Sequence, residues 1–225
     1  EVLKEGETLG FDGRVVSVGE GEGYAAIAGK KNAKVNYQVD LIDEIWEDRP
    51  VLSEEPAFNL DVKYAGETVA SKLARIREEM KEAGTNVHVV STIDDICWTL
   101  NIRGNDIDFF PLVLSYGIIT MDSFELYIDE KKLDDKLKAK LAKDGVNLHP
   151  YNDIYEDVKK FDSDVVAMID PGKLNYALFN NIPENVKTVE KRNPAILMKA
   201  IKNPVEIENI RKAQIKDSVA HVRFM

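Results

Sequence analysis

The sequence is poor in the residues and runs that mark several common protein classes. Cys97 is its single cysteine among 225 residues, which excludes an internal disulfide framework and fits a reducing compartment. No apolar run approaches the roughly 20 residues that a membrane-spanning helix needs. The net charge is −10 with both signs spread along the chain, which argues against a general nucleic-acid-binding surface. We therefore expect a soluble globular protein that binds neither membranes nor nucleic acids.

The residues of common metal and nucleophile sites are also scarce. The three histidines, His88, His149 and His221, lie far apart, and no two of them have the i, i+4 spacing of a helical zinc site. His88 alternates with apolar residues, so we expect it to be buried and hydrogen-bonded. Cys97 lies between apolar neighbours and is expected to be a small core residue. No G-x-S-x-G or C-x-x-C motif is present.

A glycine-rich segment, GEGEG at 19–23, has two interpretations. A phosphate-binding loop needs a tight strand before it and a helix that opens on the glycines. The two glutamates inside the segment would repel a phosphate group. A flexible turn is the interpretation that we favour.

Strands alternate with amphipathic helices from Gly66 onward, and this pattern predicts an α/β fold with a mixed sheet flanked by helices. Thr92 and Asp95 form a capping box for one short helix. Met121 to Ser123 join two strands as a hairpin. We expect the apolar strand at 165–169 to be central and the hairpin to lie nearer an edge. The predicted strands are 87–90, 112–120, 124–128, 146–149, 165–169 and 186–189.

The last segment predicts the domain organisation. Asn203, Pro204 and Glu206 form a helix start with a capping box, and no stop signal follows before Met225. A helix whose last turn is apolar needs a packing partner, so we expect a longer protein with a further domain after this helix. The predicted division is 1–48 as the tail of a first domain, 49–64 as a linker, 65–200 as a complete second domain and 201–225 as the first helix of the next one.

One loop carries binding chemistry. Arg103 can hold a carboxylate with two parallel hydrogen bonds, Gly104 allows a turn close to a ligand, and Trp98 supplies a flat apolar wall one turn upstream. The alternative is purely structural, an ion pair of Arg103 with Asp106 that braces the loop. In the functional interpretation Arg103 binds substrate, Trp98 is the wall and Asp106 is the brace.

Four stretches together resemble one family. The chain is similar, from about Leu9 to Met225, to the N-terminal region of the three-domain Xaa-Pro aminopeptidases (aminopeptidase P) of the creatinase/prolidase superfamily. The four stretches are LNIRGNDI at 100–107, HPYNDIY at 149–155, NYAL at 175–178 and AIKNPVE at 200–206. They are specific for this family as an ordered set and less so singly.

The resemblance implies a fold and a reaction. It implies two ribonuclease-H-like N-terminal domains before a C-terminal catalytic domain that cleaves the bond between an N-terminal residue and proline. Two divalent ions, usually manganese, work in that catalytic domain, and their ligands lie beyond Met225. For this chain the resemblance therefore implies no catalytic residue, no metal and no activity of its own.

The resemblance also implies partners and a compartment. They are the chain's own C-terminal catalytic domain, a second copy in a homodimer and short proline-containing peptides, in the cytoplasm. The N-terminal domains would serve dimerisation and restrict the cleft to short peptides. Two alternatives stay open, a stand-alone binding or dimerisation module and a relative whose catalytic domain has lost its metal ligands.

Overall fold

The computed structural model describes residues 2–225, which form ten strands, nine α-helices and two short 3-10 helices, Glu130–Lys132 and Val158–Lys160. The strands are β1 (Thr8–Gly10), β2 (Lys34–Asn36), β3 (Phe58–Asn59), β4 (Val87–Val90), β5 (Ile102–Arg103), β6 (Tyr116–Thr120), β7 (Phe124–Tyr127), β8 (Val146–His149), β9 (Val166–Ile169) and β10 (Lys187–Glu190). The helices are α1 (Val18–Gly29), α2 (Val62–Ala65), α3 (Val69–Glu82), α4 (Ile93–Leu100), α5 (Asp135–Lys143), α6 (Ile154–Asp157), α7 (Tyr176–Asn181), α8 (Pro194–Ala200) and α9 (Pro204–Phe224).

A six-stranded mixed sheet organises the chain, in the order β10-β9-β4-β6-β7-β8. The pairs β10–β9, β9–β4 and β7–β8 are parallel, and β6 is antiparallel to both of its neighbours. The predicted mixed sheet and the β6–β7 hairpin are thus confirmed. β9 is second from an edge instead of central, because β4 and β6 occupy the middle. β9 is buried because helices cover both faces of the sheet. Its apolar sequence indicates this burial but not its position in the strand order.

Each face of the sheet has its own apolar core, because side chains alternate along a strand. On one face α3, α4 and α5 pack against residues such as Val90 and Met168. On the other face α1, α6 and α7 pack against residues such as Val89 and Ile169. The predicted amphipathic helix α3 buries Leu73, which is 1% exposed, at the centre of its apolar stripe.

The glycine-rich segment is helical, so the flexible-turn prediction is wrong. Ser17 caps α1 and Glu20 completes the capping box, which fixes the helix start despite three glycines. Gly21 faces the ring of Tyr176, and a Cβ at Gly21 would lie 2.2 Å from Tyr176 Cδ2. The glycine therefore allows α1 to approach α7, a reason that is visible only once the two helices are placed together.

The predicted capping box of Thr92 and Asp95 is also corrected. Thr92 makes no capping bond to the backbone of α4; its hydroxyl donates to Asp95 Oδ2 at 2.6 Å. Asp95 in turn accepts from Lys199 and Asn193, so tertiary partners replace the predicted capping box. Residues 41–46 have apolar side chains at helical spacing but form turns, and Trp46 is exposed.

Helix α9 begins with the predicted capping box of Asn203 and Glu206 and is joined to α2 by polar contacts. Asn203 Nδ2 donates to the Ala65 carbonyl at 2.8 Å, and Asn209 Nδ2 donates to the Lys63 carbonyl at 3.1 Å. Gly66 has φ +71°, and a Cβ there would lie 2.2 Å from Asn203 Oδ1. The close approach of α2 to α9 thus requires a glycine at this position.

Within residues 2–225, none of the helices combines the length and apolar character needed to span a bilayer.

We predict opposite effects of alanine at two glycines of α1. Gly21→Ala destabilises the protein by about 1–3 kcal/mol, because its methyl group overpacks against Tyr176. Gly23→Ala stabilises it by about 0.5–1 kcal/mol, because Gly23 has open space around it and alanine is the better helix former. Urea denaturation of both variants measures the difference. Equal shifts in the same direction would contradict the packing role of Gly21.

Candidate functional site

A cleft of about 780 Å³ lies between two layers of the molecule. One wall is formed by the end of α4, by Arg103 of β5 and by the loop at Pro111 and Leu112, and the other by α2 and the first turns of α9. Trp98 and Arg103 line this cleft together, as the sequence predicts, whereas Asp106 does not belong to its lining. The polar residues of the opposite wall include Glu206 and Asn209.

Arg103 is anchored by one of its two terminal nitrogens. Its Nη1 donates to the carbonyls of Cys97 and Ile102, both at 2.8 Å. Nε and Nη2 make no hydrogen bond to any of residues 2–225. The guanidinium is half-buried, and burial lowers the pKa of Arg103 from its usual value. Its unused Nε–Nη2 edge is one of the two edges with which arginine holds a carboxylate bidentately.

Asp106 has a different partner from the one considered for it. Its Oδ2 accepts from Lys132 Nζ at 2.6 Å and from the Leu114 N–H at 2.7 Å. Both ionic side chains are buried, with exposed fractions of 0% for Asp106 and 3% for Lys132. The predicted Arg103–Asp106 ion pair is therefore wrong. Asp106 braces the loop from beneath through Lys132, which lies 26 residues further along the chain and could not be paired with it from spacing alone.

Trp98 forms the floor of the cleft and is 5% exposed. Behind it lies Lys72 of α3, whose ammonium nitrogen is 4.3 Å from the centroid of the Trp98 ring. Such a cation over an aromatic face is attracted by the ring electrons. Lys72 Nζ also donates to the Trp98 carbonyl and to Asn101 Oδ1, both at 2.7 Å. The tryptophan is thereby held on its backbone and on its ring.

Asn101 ends α4 in a left-handed conformation with φ 52°. Its side-chain amide accepts from Lys72 and donates to the Glu67 carbonyl at 2.8 Å, while its own carbonyl accepts from the Leu60 N–H at 2.7 Å. Asparagine tolerates this conformation better than most residues. The turn that leads from Trp98 to Arg103 is thus fixed on three sides.

The sequence analysis missed Lys72, although a signal for it exists. Lys72 lies three residues after Val69 and four before Ile76, on the apolar stripe of an amphipathic helix. A lysine on such a stripe is buried only with partners. Glu206 and Lys202 of the opposite wall were also missed as cleft residues, because nothing in the local pattern places α9 against α4.

Two other residues behave as predicted. His88 is buried, with Nδ1 3.0 Å from the Met168 carbonyl oxygen and Nε2 3.3 Å from Asn193 Oδ1, and burial lowers its pKa. Cys97 is buried, and burial raises the pKa of its thiol to about 11, which makes it a poor nucleophile at neutral pH. Neither side chain lines the cleft.

No group of three or more His, Cys, Asp or Glu residues in the described part of the chain is arranged to hold a metal ion. The cleft instead offers an arginine edge, a flat aromatic surface and an apolar lining that includes Leu60, Pro111 and Ile210. Its other charged residues are Lys199, Lys202, Asp94 and Glu206. This combination is suited to binding a small molecule that has an anionic group and an apolar body.

Comparison with known proteins gives consistent matches over the whole chain. The model of the creatinase/prolidase N-terminal domain family matches residues 48–206. A probable Xaa-Pro aminopeptidase P from Sordaria macrospora is 34% identical over 97% of this chain and 38% of its own length. Xaa-Pro aminopeptidase 1 from Dictyostelium discoideum is 35% identical over 99% of this chain and 37% of its own length. The chain thus spans a little over a third of these relatives.

A solved structure supports the same assignment. The X-prolyl aminopeptidase from Caenorhabditis elegans, a cytosolic enzyme with a di-nuclear active site, superposes with a TM-score of 0.93 at 31% identity, over 99% of this chain and 37% of that one. The family match, the relatives and the fold agree with the resemblance of the four sequence stretches. The chain belongs to the creatinase/prolidase N-terminal domain family and corresponds to the N-terminal part of Xaa-Pro aminopeptidases.

Proposed function

We propose that the chain is the non-catalytic N-terminal region of a metallo-aminopeptidase, a hydrolase that removes an N-terminal residue preceding proline. The observation that carries this proposal is the superposition of almost the whole chain on the X-prolyl aminopeptidase from Caenorhabditis elegans. Its relatives are Xaa-Pro aminopeptidases of which it matches only about a third. The remaining length of such a protein would carry the chemistry.

The metal chemistry belongs to that remaining part. The Caenorhabditis elegans enzyme has a di-nuclear active site, and we propose that the parent protein uses two divalent ions, manganese by preference. The described residues do not fit such a centre, because they contain no cluster of metal-binding side chains. This chain therefore contributes shape and binding groups, and none of its residues is assigned a catalytic step.

The division of the chain follows from the same proposal. Residues 1–48 end a first N-terminal domain, 49–64 are a linker, 65–200 are a second domain and 201–225 start the catalytic domain. The six-stranded sheet lies within the third of these segments, and α9 is the main element of the fourth. We also propose that the protein is a cytoplasmic homodimer in which the N-terminal domains restrict the cleft to short peptides.

The cleft beside α4 suggests how a short peptide is held. The Nε–Nη2 edge of Arg103 binds the carboxylate at the carboxyl end of the peptide, and Trp98 supplies an apolar surface for its body. A peptide extended far beyond the cleft has no carboxylate at this point, so the arrangement selects by length. Asp106 contributes indirectly, because its pair with Lys132 supports the loop that follows Arg103.

We predict that Arg103 discriminates a free carboxyl end from an amidated one. In the protein that includes the catalytic part, Arg103→Ala raises the KM for an Xaa-Pro peptide acid about 10- to 100-fold, since hydrogen bonds to a charged group are worth about 1.5–3 kcal/mol. The KM for the matching peptide amide stays unchanged. Steady-state kinetics with both peptides measures the ratio.

Arg103→Lys and Arg192→Ala are the controls for this experiment. Lysine keeps a cation that can reach the Cys97 carbonyl but lacks the fork, so this variant should fold normally and still lose the discrimination. Arg192 is exposed and lies outside the cleft, so its variant should behave as the parent protein. Equal discrimination in parent and Arg103 variants, all with normal folding, would reject the role of Arg103.

Asp106 should affect stability without a direct effect on that discrimination. Asp106→Ala leaves Lys132 buried without a partner and is expected to cost about 3–5 kcal/mol. Glu54→Ala breaks the exposed pair with Lys131 and should cost less than about 1 kcal/mol. Chemical denaturation of the 225-residue chain tests both values. A change of under 1 kcal/mol for Asp106→Ala would show that the buried pair is not a brace.

The metal assignment predicts an inert fragment. Calorimetric titration of the 225-residue chain with Mn²⁺ should show no stoichiometric binding, and the chain alone should not hydrolyse an Xaa-Pro peptide in the presence of the ion. The longer protein is the positive control for both measurements. Tight binding of one or two ions per chain would place the metal centre here and overturn the proposed division of labour.

A further inference from the structure

Lys72 is a buried lysine that supports the cleft through its contacts with Trp98 and Asn101. Its side chain is 1% exposed, and burial lowers the pKa of its ammonium group to about 8. No carboxylate among residues 2–225 lies within ion-pair distance of it. Its contacts are two hydrogen bonds of 2.7 Å, to the Trp98 carbonyl and Asn101 Oδ1, and the ring of Trp98 at 4.3 Å.

The charged groups around Lys72 come from four segments. Glu67 precedes α3 and Arg75 follows Lys72 on the same helix, where the two form an ion pair at 2.8 Å. Arg103 of β5 and Glu206 of α9 both line the cleft. The two glutamates raise the pKa of Lys72 and the two arginines lower it, but burial is the largest effect. The ammonium is therefore surrounded by a field of mixed sign that largely cancels.

We propose that Lys72 is a positioning residue of the cleft and that its protonation controls how tightly the cleft holds the carboxylate of a short peptide. The carboxylate part of this inference rests on the proposed role of Arg103. The titration of Lys72 against the face of Trp98 does not depend on it.

The physical argument follows from what the proton changes. A neutral amine still has two N–H donors for the Trp98 carbonyl and Asn101, so the fold of the turn is retained. The attraction to the Trp98 ring and the positive potential behind Arg103 are lost with the charge. A bound carboxylate favours the ammonium form, so its affinity is highest below the pKa of Lys72 and falls as the pH rises through that value.

The titration can be observed directly through Trp98. Trp46→Phe leaves Trp98 as the single tryptophan of the chain. In this background we expect a change in the tryptophan emission with a midpoint near pH 8, when the protein is excited beyond the absorption of tyrosine. Lys72→Met and Lys72→Arg should abolish the change between pH 7 and 9, whereas Lys136→Met, an exposed lysine of α5, should leave it intact.

A second measurement covers the case in which the Lys72 variants do not fold. Carbon-13 labelling of the lysine Cε atoms in the parent chain should reveal one lysine that titrates about two pH units below the rest. A parent chain with no tryptophan transition and no such lysine overturns the proposal. A transition that persists in folded Lys72→Met overturns it as well.

Kinetics of the protein that includes the catalytic part tests the consequence for binding. The KM for an Xaa-Pro peptide acid should rise about 3- to 10-fold from pH 7 to 9, as expected for one unit charge at intermediate distance. This KM should stay low in Lys72→Arg and high in Lys72→Met at both pH values, while the KM for the peptide amide follows neither pattern. A flat acid profile in the parent rejects the control by Lys72. If the acid and amide never differ, the role of Arg103 fails, and the Trp98 titration is judged separately.

Discussion

The carboxyl end of α4 is held by two buried or half-buried cations, and the candidate cleft depends on this interaction. The last carbonyls of a helix have no partners within it and form the negative end of its dipole. Arg103 donates to the Cys97 carbonyl and Lys72 donates to the Trp98 carbonyl, so consecutive residues of the last turn are capped from opposite sides. Hydrogen bonds from charged donors are each worth about 1.5–3 kcal/mol, enough to fix a turn that glycine or proline does not define.

The cations in and behind the cleft differ in how they are neutralised, although the whole chain has a net charge of −10. Lys199 is bound to Asp94 and Asp95, and Lys202 donates to the Lys199 carbonyl. Arg103 and Lys72 instead donate to neutral carbonyl and amide acceptors and form no direct ion pair with a carboxylate among residues 2–225. The net charge of the chain therefore says little about this cleft. Salt screens the distant charges, so the potential near Arg103 is set mainly by nearby groups.

Local patterns in the sequence predict most of the elements, but few of the contacts that build the site. The stripe of α3, the hairpin of β6 and β7 and the start of α9 each depend on residues within a few positions of one another, and all three are observed. The glycine-rich α1 is different, since its Gly21 is explained by Tyr176, 155 positions away by their residue numbers. Asp95 likewise accepts a hydrogen bond from the distant Lys199 in place of its predicted local capping bond. Contacts between distant segments decide these cases, and one sequence without its fold does not specify them.

The same distinction separates the residues whose common location the sequence indicates from those that it does not bring together. Trp98 and Arg103 are five residues apart on one helix and the turn that follows it, so their common location follows from chain geometry. Lys72 contacts Trp98 from α3, Glu206 lines the cleft from α9, and Asp106 is paired with Lys132. A lysine on an apolar stripe indicates that a partner is needed if it is buried, and so does an aspartate in a buried loop. In neither case does the sequence identify the partner.

Helix α9, in the opposite wall of the cleft, is held by directional hydrogen bonds more than by buried apolar surface. No residue of α9 is buried, and the helix is held at its start by Asn203 on Ala65 and by Asn209 on Lys63. Hydrogen bonds of this kind specify an angle, whereas apolar burial would supply more free energy with less directional control. Glu206 and Asn209 of this helix line the same cleft as Arg103, so the position of α9 sets the width of the cleft. In the proposed function, the α4 side is the fixed wall at which a carboxylate would bind, and the α9 side sets the space for the rest of the ligand.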